Sequence, residues 1–183
     1  MVFDPKAYGP EVARILALDG DGRRPLPLAI VRSGSPEARI ALKGRRGRDL
    51  FPDSQAPEAA LSGLWLYFSY FVEAHELAQD IETPDGSYWH AIIHRQEPDA
   101  GNSGYWFRRV GRHAIFPSLR DEAVTVLSGT DVAFSPGAQW DPFAFIDFCE
   151  RARLRPESAE EAAARKIQLA EWQLLFHHCA RAA

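Results

Sequence analysis

Residues 58–80 read EAALSGLWLYFSYFVEAHELAQD. No proline interrupts this stretch, and a helix tolerates its one glycine, Gly63. On a helical wheel, Trp65, Phe68 and Val72 lie within about 40° of Leu61, and other apolar side chains cover most of the remaining circumference. A helix that is apolar on nearly every side belongs at the centre of a protein. The stretch therefore predicts one central, buried helix over residues 58–80.

Helix start and stop signals divide the rest of the chain. Capping residues stand before an apolar run at Thr83, at Asp99 or Asn102, at Asp141 and at Ser158, and a proline directly follows Thr83 and Asp141. Together with weaker signals, they predict further helices over residues 12–18, 36–43, 84–96, 100–111, 117–128, 142–153 and 159–181.

These elements predict a mostly α fold, a single-domain helical bundle of antiparallel helix hairpins around the central helix. One domain is expected over residues 1–183, with a less regular N-terminal segment at 1–56 and a helical core at 57–183. Residues 28–31 and 132–134 are weak strand candidates, which would form a minor pair at most.

Composition excludes several classes of function. The chain has 183 residues, and 46% of them are hydrophobic, which predicts a globular protein. Its net charge of −4 argues against the basic face of a nucleic-acid binder. Its longest uncharged apolar run, at 59–72, is shorter than the roughly 20 residues that span a bilayer. The first residues lack the order of a signal peptide, and the two cysteines are too few for a disulfide framework. We therefore expect a cytoplasmic protein that binds neither membranes nor nucleic acid.

Four of the six histidines fall within residues 75–113. His90 and His94 are four residues apart and share one face of the predicted helix. Two imidazoles one turn apart are a common way to hold a transition metal, and His75 on the central helix is the candidate third ligand. A divalent transition metal is therefore one candidate cofactor. The alternatives are a polar ligand site without metal, or buried histidines that hydrogen-bond at a helix contact.

Charged residues follow the same histidines and suggest a corner that binds anions. Arg95 and Arg108 would grip a carboxylate or phosphate near the start of the next helix, although Arg–carboxylate pairs of this kind are often structural. We predict a pocket for a small polar or anionic ligand, with the proposed lining His75, Gln79, His90, His94, Arg95, Glu97, Asp99, Asn102 and Arg108. The sequence does not decide whether the protein is an enzyme; if it is, a histidine would be the acid–base group and Arg95 would hold the substrate.

Three blocks of this middle segment resemble a group of uncharacterised bacterial proteins. They are AHELAQD at 74–80, GSYWHAIIHRQEPD at 86–99 and NSGYWFRRVG at 102–111. The resemblance covers roughly residues 57–117 and implies a recurring unit. It brings no assigned activity and no residue roles.

A second class of function is a helical protein-interaction module in which these polar residues are structural. The large aromatic residues of the segment would then be core or partner-facing anchors. Cys149 and His178 lie on apolar helix stripes and are expected to serve packing. Homo-oligomer formation is left open by the sequence.

Overall fold

The computed structural model describes residues 2–30 and 34–182, and 66% of them are helical. These residues form two short 3-10 helices (Pro5–Tyr8 and Ala17–Gly22) and ten α-helices. The α-helices are α1 (Pro10–Leu16), α2 (Pro36–Leu42), α3 (Gly47–Leu50), α4 (Pro57–Tyr67), α5 (Phe71–Gln79), α6 (Pro84–Gln96), α7 (Ala100–Val110), α8 (Phe116–Leu127), α9 (Pro142–Arg153) and α10 (Ala159–Ala180). The mostly α prediction is confirmed.

The strand candidates do not form strands in the described residues. Residues 28–30 and 132–134 are coil, and Val31 lies outside the described part of the chain. The one isolated β-bridge there joins Ser54 to Ala182. No helix in the described residues is long and apolar enough to cross a bilayer.

The capping signals place three helix starts correctly, and at the start of α7 the cap is Asp99, the first of the two candidates. The side chains of Thr83, Asp99, Asp141 and Ser158 each accept a hydrogen bond from a backbone N–H in the first turn of α6, α7, α9 and α10. Each cap satisfies an amide that the helix itself leaves without a partner. These local rules therefore fix the helix that carries His90 and His94.

The single helix predicted over residues 58–80 is wrong, because the chain breaks between α4 and α5. Ser69 has a φ of 61°, in the left-handed region, and the N–H of Tyr70 donates to the carbonyl of Trp65. The N-terminal segment holds this break: the Tyr70 hydroxyl contacts the carbonyl oxygens of Gly34 at 3.1 Å and Ser35 at 2.8 Å. A tertiary contact thus overrides a run with high helix propensity.

The two halves of the broken stretch have different environments. Every residue of α4 but Glu58 is buried, and Trp172 on α10 donates from Nε1 to the carbonyl of Gly63 at 2.8 Å. In α5 only Phe71, Ala74 and Ala78 are buried. The central element is therefore α4, and α5 is an amphipathic helix that packs against α6.

Before residue 57, α1 and α2 correspond to the predicted helices over 12–18 and 36–43, whereas α3 and the two 3-10 helices were not predicted. Phe3 packs on Trp172 and Phe176 of α10, with ring centroids 5.5 Å and 6.1 Å apart. The hydroxyl of Ser54 donates to the carbonyl of Cys179. This segment shares its apolar core with the later helices.

Candidate metal centre

Three histidines meet where α5 packs against α6. His90 and His94 lie one turn apart on α6, and His75 faces them from the middle of α5. The Nε2 atoms of His75 and His90 are 2.8 Å apart, and one ligand nitrogen from each of the three rings lies within 4.8 Å of the other two. The break at Ser69 allows the three histidines to converge, because after it α5 runs in a different direction from α4.

Burial keeps the deepest imidazole of this cluster neutral. His90 is 2% exposed, and its burial together with the neighbouring His75 and His94 lowers its pKa to about 3. The indole of Trp106 stacks on the His90 ring with a centroid distance of 3.9 Å. A neutral imidazole in a fixed orientation is the form that coordinates a metal ion.

Two imidazole nitrogens of the cluster lack hydrogen-bond partners among the described residues. They are Nδ1 of His90 and Nδ1 of His94, both buried. The latter lies 3.0 Å from a carboxylate oxygen of Glu97, but without the alignment of a hydrogen bond. A buried nitrogen without a hydrogen-bond partner lowers the free energy of unfolding. Holding these rings together therefore destabilises the fold.

The cluster opens on one side to a cleft of about 560 Å³. His75 lines this cleft together with three carboxylates, Glu73, Glu76 and Glu97. Glu73 is paired with Arg39 at 2.9 Å, and the residues that line the cleft include no lysine or arginine among those described. The surroundings therefore favour a cation at the histidines over an anion.

Arg95 lies in the core and not in the lining of a ligand pocket, where sequence analysis predicts it. It is 1% exposed, and its guanidinium pairs with the carboxylate of Glu171 and donates to Gln168 of α10. The hydroxyl of Tyr88 donates to the same carboxylate at 3.0 Å. Arg95 follows His94 directly and so points about 100° away around the helix, towards α10 instead of α5. The structure gives it the role of a core ion pair.

The other predicted residues do not gather into one lining. Glu97 reaches the cleft, whereas Gln79 is exposed at the end of α5 and Arg108 is exposed on α7. Asp99 and Asn102 form the cap of α7, and hydrogen bonds from Asn102 hold the pKa of Asp99 below its usual range. Of the predicted ligand residues, the structure thus brings His75, His90, His94 and Glu97 together.

Some lining residues carry no sequence signal for a site. Tyr70, just before α5, and Glu73 and Glu76 on α5 all line the cleft. What the sequence pattern does not mark is the break at Ser69.

Comparison of the chain with protein-family models, with curated proteins and with solved structures finds no match. The resemblance of residues 57–117 to a group of bacterial proteins stays a prediction. The chemistry of the site therefore rests on its own geometry.

Proposed function

We propose that the protein binds a divalent transition-metal ion through His75, His90 and His94. The observation that supports this most is the convergence of three imidazoles from two helices, with their ligand nitrogens within 4.8 Å of one another. Four-coordinate metal ions with nitrogen ligands at about 2.0–2.1 Å separate those ligands by about 3.3 Å, so small side-chain rotations close the site. Three histidines suit zinc, copper, nickel or iron.

The cleft gives the bound ion a position that is open to exchange. Three protein ligands leave a fourth coordination position in a tetrahedral site, and His75 lies at the cleft wall. Glu97 and Glu76 add negative charge there, which attracts the cation and repels a free anion. We therefore favour the metal reading of the predicted pocket over an anion held by Arg95, which pairs with Glu171.

A thermal-unfolding experiment tests the proposal. The protein is purified without a histidine tag, stripped of metal and titrated with zinc. An ion at 100 times its dissociation constant stabilises the native state by about 2.7 kcal/mol, which raises the melting temperature by about 5–10 °C at this size. His75→Gln and His94→Gln, whose rings are not fully buried, should each reduce that shift.

His177→Gln is the matched control, because His177 lies outside the cluster and bonds the hydroxyl of Tyr8 at 3.1 Å. It should leave the zinc-induced shift unchanged. A double variant His75→Gln/His94→Gln with the full shift of the wild type would refute the proposal. In that case the helical protein-interaction module would become the preferred function.

We also propose that α4 with α5 and α6 with α7 form antiparallel hairpins. Ser62 and Ser103 support this, because each donates from its hydroxyl to a carbonyl across the turn, that of Ala74 at 2.9 Å and that of Ala91 at 2.8 Å. The links between the helices are only three residues long, at 68–70 and 97–99.

A cytoplasmic location in a bacterium is part of the same proposal. Cys149 and Cys179 are both free thiols, and burial raises the pKa of Cys149 to about 12. Such thiols fit a reducing compartment. The bacterial origin rests on the resemblance of residues 57–117.

A further inference from the structure

A second group of metal-ligating side chains lies at the other end of α6. Asp85 is in the first turn of α6, His113 is in the link between α7 and α8, and His178 is near the end of α10. Oδ1 of Asp85 is 3.0 Å from Nε2 of His113 and 3.3 Å from Nε2 of His178. The two imidazole rings are 5.1 Å apart. Three elements distant in sequence thus deliver one carboxylate and two imidazoles to one point.

These separations match the spacing of ligands around a metal ion. Bonds of about 2.0–2.2 Å at tetrahedral angles place neighbouring ligand atoms about 3.3 Å apart. The three ligand atoms here all lie within 4.8 Å of one another. We propose that Asp85, His113 and His178 form a second site for a divalent transition-metal ion. Two histidines and one carboxylate suit iron, manganese, cobalt or zinc.

The site is anchored on one side and accessible on the other. The His113 side chain is 4% exposed, and its ring packs edge-on against Tyr88 with centroids 5.0 Å apart. The side chains of Asp85 and His178 are 17% and 29% exposed and line a cleft of about 780 Å³. The other charged residues that line this cleft are Arg48, Arg181, Glu58 and Asp80. An ion therefore has a fixed ligand behind it, a route of entry and coordination positions open towards the cleft.

Metal binding through Nε2 of His113 changes the hydrogen bonding at its other ring nitrogen, Nδ1. The N–H of Ile115 lies 3.4 Å from Nδ1 of His113, at the long end of hydrogen-bond distances. Coordination through Nε2 moves the ring proton to Nδ1, so this weak hydrogen bond is given up. The loss is small beside two metal–ligand bonds at Asp85 and His178.

The second site shares no residue with the centre formed by His75, His90 and His94. Asp85 and His90 are five residues apart on α6, which separates their backbones by about 7.5 Å along the helix axis. Its position on an apolar stripe of α10 predicts a packing role for His178. It is half-buried, and its ring faces Asp85 instead of the core.

Metal stoichiometry tests the second site. The full chain, stripped of metal and free of tags, is dialysed against cobalt(II), and bound metal is counted by elemental analysis beside the visible absorption of the ion. The wild type should bind two ions. Asp85→Asn and His178→Gln should each bind one, with affinity at the lost site reduced at least about 100-fold, since even partners outside the coordination sphere are worth 10–100-fold.

Matched variants separate this site from the first centre. His94→Gln should also bind one ion, at the second site. Its absorption spectrum should therefore differ from that of Asp85→Asn, whose one ion is held at the first centre. His177→Gln, one residue from His178, should bind two. If Asp85→Asn and His178→Gln both keep the stoichiometry and spectrum of the wild type, the second site is refuted and the Asp85–His113 pair only anchors α6. A different outcome is a wild type that binds a single ion. If His94→Gln keeps that ion and Asp85→Asn loses it, the first centre alone is refuted.

Discussion

Arg95 shows how one position on a helix separates a core residue from a site residue. Its neighbour His94 faces α5, whereas Arg95 reaches Glu171 and Gln168 on α10. Phe145 lies under the guanidinium, 4.6 Å from ring centroid to Cζ. A buried ion pair of this kind is costly to break and cheap to replace as a unit.

We predict that Arg95→Met lowers the free energy of unfolding by about 3–5 kcal/mol, because Glu171 is left as a buried charge without its cation. The double variant Arg95→Met/Glu171→Leu should recover most of that loss. Urea denaturation measures both. Arg108→Met, at an exposed position on α7, is the control and should change stability by no more than about 0.5 kcal/mol.

The same series distinguishes a structural role from an anion-binding one. A folded Arg95→Met/Glu171→Leu should bind zinc as the wild type does, since neither residue contacts the histidine cluster. An Arg95→Met protein as stable as Arg108→Met would contradict the core ion pair. It would return Arg95 to the list of ligand-binding candidates.

At the scale of the element, the break between α4 and α5 decides where the candidate metal centre forms. Ser69 adopts the left-handed conformation, which costs most residues about 1–2 kcal/mol but is free for glycine. Phe68 and Tyr70 on either side are buried, so the turn is held by its neighbours.

We expect Ser69→Gly to keep or raise the melting temperature, and Ser69→Val to lower the free energy of unfolding by about 1–3 kcal/mol. A continuous helix would give the reverse order, because valine is a better helix former than glycine. Circular dichroism melts compare the two variants. Val72→Gly, at an exposed position inside α5, is the control and should destabilise by about 0.5–1 kcal/mol.

Local rules explain why most helices were predictable and this break was not. Thr83, Asp99, Asp141 and Ser158 cap their helices through neighbours in sequence, so the pattern alone marks the starts. The turn at Ser69 depends on Tyr70 bonding to Gly34 and Ser35, about 35 residues away. A Cβ at Gly34 would collide with the carbonyl of Phe68, so that glycine is needed for the close approach. No periodicity within residues 58–80 contains this information.

In the candidate centre too, local spacing predicts some residues, whereas tertiary contacts place the others. The pairing of His90 with His94 follows from helical spacing, and the choice of His75 follows from its place on the apolar stripe. Arg95 and Glu97 differ in outcome because side-chain direction near a helix end depends on what packs against each face. Asp85, His113 and His178 are separated by up to 93 positions, and only the tertiary fold brings them together.

At the scale of the whole molecule, α6 connects the core with both groups of histidines. Its middle is buried through Trp89 and Ile92 and also carries His90, its first turn carries Asp85, and its last turn carries His94. A rigid, buried helix fixes its side chains more firmly than a loop would, which is what a preorganised metal site needs. The fold therefore supplies the scaffold for the proposed function.

Anomalous X-ray scattering from a zinc-loaded crystal, with data collected on both sides of the zinc absorption edge, tests the central proposal most directly. We predict an anomalous peak within about 2.0–2.3 Å of one nitrogen each from His75, His90 and His94. The absence of a peak at these three rings, in a crystal whose zinc content is shown by its fluorescence, would contradict the proposal.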